Sequence, residues 1–241
     1  MKLDFSKRNV KNMLTPPSGE HWFGTDTQGR DCFSQVLYGA RITLLSSVAA
    51  VFISMLIGVG VGIAAGFFGG KVDFVIGAVI DFLLSFPTLI LALIVVSILG
   101  PGLNNAVFAV GIQGVPIFAR FVRGEVLVQK EVGYVEGSIA LGATSRRIIM
   151  KHIVPNIIPS ITTLITLELP RVILTLAGLG FIGLGAQPPV LEWGRLMVSA
   201  RDFFVMAPWL INFPGLAIMI SVFGFNLLGN ALRDIFDPSL N

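Results

Sequence analysis

The charged side chains between residues 21 and 31 are the first candidates for chemistry. Asp26, Arg30 and Asp31 occupy a glycine-punctuated polar stretch of the sequence. Neighbouring carboxylates can bind a metal ion or act as acid and base, but they also hold structured loops through local hydrogen bonds, which is the interpretation we favour. His21 and His152 are far apart and, in the topology inferred below, lie on opposite sides of a membrane. We therefore predict no metal site.

A second candidate is the glycine-rich stretch from Gly66 to Val72. A phosphate-binding loop requires the pattern G-x-x-x-x-G-K-[ST], in which the final hydroxyl helps to hold magnesium. Here Val72 follows Lys71, and Ala65 stands where the first glycine is required. We therefore expect neither an ATPase site nor a catalytic residue in this chain.

Polar side chains inside long apolar runs form the third group. Charges within a membrane span cost free energy and usually serve a function. Glu168 and Arg171, three residues apart, can pair on one helical face. They form either a self-neutralising pair against a neighbouring helix, which we favour, or part of a translocation pathway that meets a charged peptide terminus. Gln113 and Asn226 either line that pathway or bridge helices, and bridging is favoured.

The composition assigns the chain to a membrane. Of its 241 residues, 54% are hydrophobic and 13% are charged, whereas about a quarter of the residues in soluble domains are charged. We predict an all-α, polytopic helical bundle, with a kink at Pro87 and close packing of the glycine-rich first span. Cys32, the single cysteine, excludes an internal disulfide. The five predicted spans cover residues 42–68, 76–99, 106–121, 157–184 and 208–228.

The longest polar interruption between these spans, residues 134–159, predicts two short helices. The first covers residues 134–141 and ends at Gly142, because glycine adopts positive φ at little steric cost. The second begins near Thr144 or Ser145, either of which could cap it, and Pro155 limits how far it continues. Such a compact knob suits docking into a partner's cleft, although an ordinary positively charged loop fits the composition equally well.

Loop charge sets the orientation, because basic residues accumulate in cytoplasmic loops. The region 120–151 is therefore predicted to be cytoplasmic, and residues 1–41, the turn at 100–105 and the segment 185–207 extracytoplasmic, with Cys32 facing outward. The basic residues that carry this inference are Arg120, Arg123, Lys130, Arg146, Arg147 and Lys151.

The interruption resembles the EAA loop of binding-protein-dependent ABC importer permeases. Glu136 is followed by two small residues, by a glycine six positions after it, and by Ile153 and Pro155. In the family, two alanines stand at the positions of Gly137 and Ser138, and a leucine stands at that of Val154. Other stretches, in order along nearly the whole chain, resemble the C-type permease of dipeptide, oligopeptide or nickel importers: Gly24-Thr-Asp26, Gly29-Arg-Asp31, Tyr38-Gly-Ala-Arg41, Ala119-Arg-x-x-Arg123, Phe181-Ile-Gly-Leu-Gly-Ala-Gln-Pro-Pro189, Glu192-Trp-Gly194 and Asn226-Leu-Leu-Gly-Asn-Ala-Leu-Arg-Asp234.

This resemblance implies the type I ABC importer permease fold. Its members similar to dipeptide permeases have six spans, so that a first span would precede this chain, and the transmembrane domain would cover residues 42–241. The cytoplasmic loop 122–156 would be the coupling-helix region that sits in a groove of the ATPase subunit. The residues that would dock there are Glu136, Gly137, Ser138, Gly142, Arg146, Arg147, Lys151, Ile153 and Pro155.

The resemblance also implies partners and a location. A second permease subunit, two subunits that bind ATP and magnesium, and an extracytoplasmic substrate-binding protein would complete the importer in the prokaryotic inner membrane. The binding protein would face the segment 185–207, with Trp193 and Arg201. No nucleic acid partner is expected, and this chain itself would hold no cofactor.

The expected function is a transport subunit, not an enzyme, that forms half of the pathway for dipeptides or oligopeptides. Nickel and glutathione importers are alternatives within the same family. An ion-coupled secondary transporter is an alternative of another class, but it would usually have more carboxylates inside its spans and an inverted repeat.

Overall fold

The computed structural model describes residues 9–236, which are almost entirely helical. Within that range, the only β-type pairing is an isolated bridge between Thr25 and Asp31. The predictions for residues 1–8 and 237–241 lie outside the described residues. The helices are α1 (Cys32–Phe68), α2 (Gly70–Leu84), α3 (Thr88–Leu99), α4 (Leu103–Lys130), α5 (Gly133–Ala140), α6 (Ser145–Ile148), α7 (Val154–Ile182), α8 (Trp193–Ser199) and α9 (Trp209–Phe236), with short 3-10 turns at Val10–Asn12 and Arg201–Phe203.

The centre of the bundle is the contact between α1 and α4, where glycines let two backbones approach each other. Gly58, Gly62 and Gly66 recur every fourth residue of α1, and each faces α4. A methyl group on Gly62 would lie 2.6 Å from the carbonyl oxygen of Ala119, closer than any side chain tolerates. The close packing predicted for the first span therefore occurs on one face of the helix.

Around this contact, α3 covers α4, and α7 packs against α1, α4 and α9. Helices α1, α3, α4 and α7 together enclose the central apolar cluster, so the bundle depends on contacts between distant parts of the chain. The cluster includes Ala50, Val51, Val96, Val110, Phe118, Val172 and Leu179.

The second predicted span, 76–99, is two helices rather than one kinked helix. The axes of α2 and α3 are bent by 93° at the break between Leu84 and Thr88. Pro87 has no N–H to donate and disfavours helical geometry in the residue before it. The helix therefore stops before this proline and restarts after it.

The other long helices extend beyond the predicted spans. Helix α1 begins at Cys32 rather than at 42, α4 continues to Lys130 rather than to 121, and α9 to Phe236 rather than to 228. The apolar run in a sequence marks the part that lipid can cover, whereas polar residues continue the same helix into the interface.

The segment before α7 differs most from the prediction. Helix α6, a π-helical turn at Ile149–Ile153 and α7 follow one another without a gap, so that Ser145–Ile182 forms a single helix of 38 residues. The prediction that Pro155 limits this helix is wrong. The proline lies in the first turn of α7, where the π turn before it accommodates the missing N–H.

Four helices within residues 9–236 are long and apolar enough to cross a membrane, or five if the bent pair α2–α3 counts as one span. Their outer faces carry exposed apolar side chains, such as Leu56 on α1, Phe74 on α2 and Phe223 on α9. Apolar surface on this scale is unfavourable in water. These faces are therefore suited to contact lipid or other membrane subunits.

Candidate docking and translocation site

The predicted docking knob consists of α5, a turn and α6. Gly142 has φ of +78°, a conformation that side-chain-bearing residues rarely adopt, so it ends the first helix as predicted. Thr144 occupies the cap position before α6, but its side chain makes no capping hydrogen bond. Leu141, at the tip of the turn, is 90% exposed, which gives the knob an apolar tip that the motif did not indicate.

Three buried aliphatic side chains anchor the knob to the bundle. Val135 of α5, Ile148 of α6 and Ile153 of the π turn pack against Val122 and Val126 of α4. Ile153 is fully buried, so its role would be to hold the knob in place rather than to contact a partner directly.

The other residues predicted to dock are almost all on the surface. Ser138 is half-buried, and its hydroxyl donates to the carbonyl oxygen of Tyr134 at 2.8 Å. Together with the apolar tip at Leu141, these side chains form a mainly basic surface. The exposed members are Glu136, Gly137, Gly142, Arg146, Arg147, Lys151 and Pro155.

Polar contacts that the motif did not reveal connect the knob to α7 and the bundle. Asn156 Nδ2 donates to the hydroxyl of Tyr134 at 2.9 Å, which joins α7 to α5. Lys130 Nζ donates to the carbonyl oxygen of Phe67 at 2.9 Å, which joins the end of α4 to the end of α1. The knob is therefore bonded to α7, and the adjacent end of α4 is bonded to α1.

Two of the arginines assigned to the cytoplasmic loop belong to α4 instead. Arg123 Nη2 donates to Asp73 of α2 at 2.7 Å, and Arg120 pairs with Asp81 of the same helix. These pairs hold α2 against α4. Apolar packing contributes little to this contact, because Ile80 is the only buried side chain of α2.

The pair predicted inside the fourth span is present. Arg171 Nε donates to Glu168 Oε2 at 2.6 Å, and both side chains are largely buried, with 25% and 12% of their surfaces exposed. The guanidinium reaches α4, because a methyl group on Gly114 would lie 3.5 Å from Arg171 Nη2. The favoured interpretation, a self-neutralising pair against a neighbouring helix, agrees with this geometry.

Gln113 and Asn226 do not occupy one site. Gln113 is 2% exposed, and its amide oxygen and nitrogen have no hydrogen-bond partner among the described residues. The favoured prediction that Gln113 bridges helices is therefore not met among the described residues, because its amide makes no hydrogen bond to another helix. Asn226 lies on the exposed face of α9.

The charged loop at residues 21–31 is a hydrogen-bonded structure. Asp26 accepts from the backbone N–H groups of Gln28 and Arg30, from Arg30 Nε and from Gln35 Nε2. Asp31 caps α1 by accepting from the Ser34 N–H at 2.8 Å. No group of three metal-ligating side chains occurs within residues 9–236, and the favoured interpretation as a structured loop fits these bonds.

The pKa of Asp31 lies below its ordinary value. Burial is the largest single influence and raises the pKa, but hydrogen bonds from His21 and Ser34 outweigh it. The ionised carboxylate therefore stabilises the folded loop above the ordinary pKa of about 3.8, and this contribution is lost as the pH falls through the lower folded value.

Trp193 does not face a binding protein, contrary to the prediction. It is 2% exposed, and its Nε1 donates to the carbonyl oxygen of Val36 at 2.9 Å. The neighbouring Glu192 accepts from the N–H groups of Gly194 and Arg195 and thereby caps the N-terminus of α8. Arg201, the other residue named in that prediction, is exposed, and so is the apolar tip of the segment, where Val205 is 91% exposed.

Comparison with known proteins identifies the family. The model of the family described as "Binding-protein-dependent transport system inner membrane component" matches residues 58–241. The chain belongs to this family. It is a multi-pass permease subunit of an ABC importer, and the resemblance drawn from its motifs is confirmed.

Relatives of this permease include named transport proteins. A dipeptide transport system permease protein (DppC) of Alkalihalophilus pseudofirmus is 43% identical over 236 residues, which cover 98% of this chain and 78% of the relative. A glutathione transport system permease protein (GsiD) of Pectobacterium atrosepticum is 44% identical over 224 residues, which cover 93% of this chain and 74% of the relative.

Solved structures confirm the fold of the permease. The inward-facing methionine ABC transporter MetNI superposes with a TM-score of 0.70 at 22% identity, over 84% of this chain and 97% of that chain. An amino acid ABC transporter superposes with a TM-score of 0.64 at 16% identity, over 85% and 95%. The predicted ABC importer permease fold is therefore correct.

Proposed function

We propose that this permease carries small peptides across the prokaryotic inner membrane as one of two permease subunits. Two ATP-binding subunits would bind ATP and magnesium and hydrolyse the nucleotide, and an extracytoplasmic binding protein would deliver the peptide. The similarity to a dipeptide and a glutathione permease supports peptides as the substrate class, because glutathione is itself a peptide. A nickel importer remains the alternative within the family.

The observation that carries this proposal is the exposed knob on a buried base. Glu136, Arg146 and Arg147 are exposed, whereas Val135 and Ile153 beneath them are fully buried. A partner ATPase that binds these exposed side chains would move the buried residues beneath them as well. Because interiors are close-packed and transmit displacement, closure of the ATPase dimer would reach the long helices.

The continuous helix Ser145–Ile182 gives this coupling a direct route. It begins in the knob and carries Glu168 and Arg171 about two-thirds of the way along. A rotation or shift of its first turns would therefore displace the polar residues of the proposed pathway. Asn226 would belong to the same pathway if the exposed face of α9 lies against the second permease subunit.

Docking variants test the proposal. We expect Gly142→Pro, which cannot adopt positive φ, and Glu136→Lys to leave the protein inserted in the membrane but to abolish co-purification with its ATP-binding subunits. Uptake of a labelled dipeptide by cells that carry only the variant should fall to the level of cells without the gene, while nickel uptake should not change.

Matched controls are available for both changes. Gly142→Asn retains a residue that tolerates positive φ, and Glu131→Lys makes the same charge change at an exposed position outside α5; both should assemble normally. Normal co-purification of Gly142→Pro and Glu136→Lys would contradict the docking assignment. Loss of nickel uptake instead of dipeptide uptake would contradict the substrate class.

A further inference from the structure

Three helices meet at an incompletely paired polar cluster in the interior of the bundle. Gln113 of α4 is 2% exposed, and both polar atoms of its amide have no partner within residues 9–236. A buried polar group without a hydrogen bond destabilises the fold, so a purely structural role would be better served by an apolar side chain. The amide therefore calls for an explanation in terms of function.

The guanidinium of Arg171 is also only partly used. Its Nε donates to Glu168 Oε2, and Nη2 pairs with the same oxygen at 2.5 Å. Nη1 is buried and has no hydrogen-bond partner in the described chain. Glu168 thus occupies one edge of the guanidinium, and Nη1 with the second N–H of Nη2 remains available at its end.

The guanidinium reaches the turn of α4 that contains Gln113. Arg171 Nη2 approaches α4 at Gly114, the residue that follows Gln113 in the chain. A side chain on Gly114 would collide with the hydroxyl of Ser54 from α1, so glycine is needed for the three helices to meet here. Arg171 consequently approaches α4 one residue along the chain from Gln113.

We propose that Gln113 and Arg171 form a subsite for the C-terminal end of a transported peptide. The two terminal nitrogens of a guanidinium match the two oxygens of a carboxylate. A primary amide carries both donor and acceptor groups, so Gln113 can pair with the N–H and C=O of the adjoining peptide group. This inference rests on the proposed function and specifies the part of the substrate that the pathway recognises.

Glu168 makes such a subsite possible inside a membrane protein. An isolated guanidinium would be very costly to bury, and pairing with a carboxylate reduces this cost. The atoms that would bind the peptide are shielded from solvent in this structure. Access therefore requires α4 and α7 to separate, which is a movement that the coupling route described above can supply.

A binding experiment on the assembled complex tests the subsite. The permease, its partner permease and the ATP-binding subunits are purified without the binding protein, with and without ATP, and bound labelled L-alanyl-L-alanine is measured by equilibrium dialysis. We expect the unlabelled dipeptide to compete at least tenfold better than its C-terminal amide. Arg171→Lys keeps the charge but lacks the two terminal guanidinium nitrogens. It should weaken binding of the free acid about tenfold and remove this preference.

Two further variants separate recognition from general damage to the fold. Gln113→Leu should weaken the free acid and the amide equally, and so retain the preference. Glu168→Gln, which frees the guanidinium from its internal partner, should tighten binding of the free acid severalfold without changing that of the amide, a gain that misfolding cannot produce. Arg120→Lys, the same substitution in an exposed pair of α4, is the matched control and should resemble wild type.

The subsite is overturned if Arg171→Lys retains the wild-type preference, if wild type does not prefer the free acid, or if the assembled complex binds no dipeptide. In the last case dipeptide uptake by cells would still support the proposed function. Failure of the wild-type chain to assemble with ATP-binding subunits would instead overturn the proposed function itself.

Discussion

Glu192 shows how a single buried residue joins distant parts of the chain. Its carboxylate is 2% exposed, caps α8, and accepts a long hydrogen bond of 3.4 Å from the Thr43 hydroxyl of α1. Gly180 of α7 has no room for a side chain, because a methyl group there would lie 2.6 Å from Glu192 Oε2. One carboxylate therefore holds together α1, α7 and the segment 183–208.

The charge of Glu192 should destabilise the fold as the pH rises. Burial, the largest influence, raises its pKa, and hydrogen bonds from Gly194, Arg195 and Thr43 offset this only in part. The folded state therefore holds the proton at higher pH than the unfolded chain, and stability falls as the pH rises from the ordinary value of about 4.5 through the folded pKa. Glu192→Gln removes the charge. The free energy of unfolding of this variant, relative to that of wild type, should therefore increase as the pH rises through this range.

Thermal unfolding of the purified permease in detergent, between about pH 4 and pH 8, measures this difference. Glu192→Ala is the control for the cap, and its free energy of unfolding should lie about 1 kcal/mol below that of Glu192→Gln at every pH. A constant difference between wild type and Glu192→Gln over the whole range would show that the carboxylate does not titrate in this way.

At the scale of the helix, the glycine face of α1 determines which surface meets α4. Gly58, Gly62 and Gly66 all face α4, whereas a methyl group on Gly60 would meet no atom of the described chain within 4 Å. The glycines of this helix therefore differ in role according to the face they occupy. Only the three that face α4 are required for contact between the backbones of α1 and α4.

Two valine substitutions in the same helix separate packing from helix propensity. Gly62→Val would force its side chain against the Ala119 carbonyl and Val122, and such overpacking typically costs about 1–3 kcal/mol. Gly60→Val makes the same change in propensity without the collision. Unfolding in detergent should show a lower stability for Gly62→Val alone, and equal effects of the two substitutions would exclude this packing of α1 on α4.

In the helix from α6 to α7, structural context likewise decides the effect of a residue type. A glycine stops α5, but a proline does not stop α7, because the π turn at Ile149–Ile153 precedes it. The knob is consequently a direct extension of a long membrane helix on one side and is joined to α5 by the turn at Gly142 on the other. The proposed coupling would therefore run through α7.

Across the whole molecule, the two ends of the bundle carry different structures. The docking knob, Lys130 and the end of α1 share one end. At the other end, the start of α1 packs beside the segment 183–208 through Cys32 and Ala207, and the Gly102 N–H donates to the carbonyl oxygen of Leu184. Segments predicted to share a side of the membrane therefore lie at the same end of the bundle, and which side each end faces stays a prediction.

Cysteine labelling in intact cells tests that sidedness. Leu141 and Val205 are 90% and 91% exposed at opposite ends, so a membrane-impermeant maleimide should label Val205→Cys before lysis and Leu141→Cys only after it. Cys32 is 6% exposed, and the wild-type chain therefore provides an unlabelled background rather than the outward-facing probe suggested by its position. The reverse pattern of labelling would invert the topology.

The sequence by itself determined the features that depend on neighbours along the chain. Apolar runs predicted the membrane class, the break at Gly142 followed from backbone conformation, and the spacing of Glu168 and Arg171 predicted their pair, because residues three apart on a helix are adjacent whatever surrounds them. The ordered motifs predicted the family.

Only the tertiary structure decided which side chains face inward and which face a partner. The sequence offered no sign that Trp193 and Ile153 are buried or that Asp73 and Asp81 bind the arginines of α4. It also offered no sign that the buried Gln113 amide is unpaired. Each of these depends on how one helix is rotated against another. That rotation follows from side-chain packing between distant segments, here around the glycine face of α1, and no local pattern contains it.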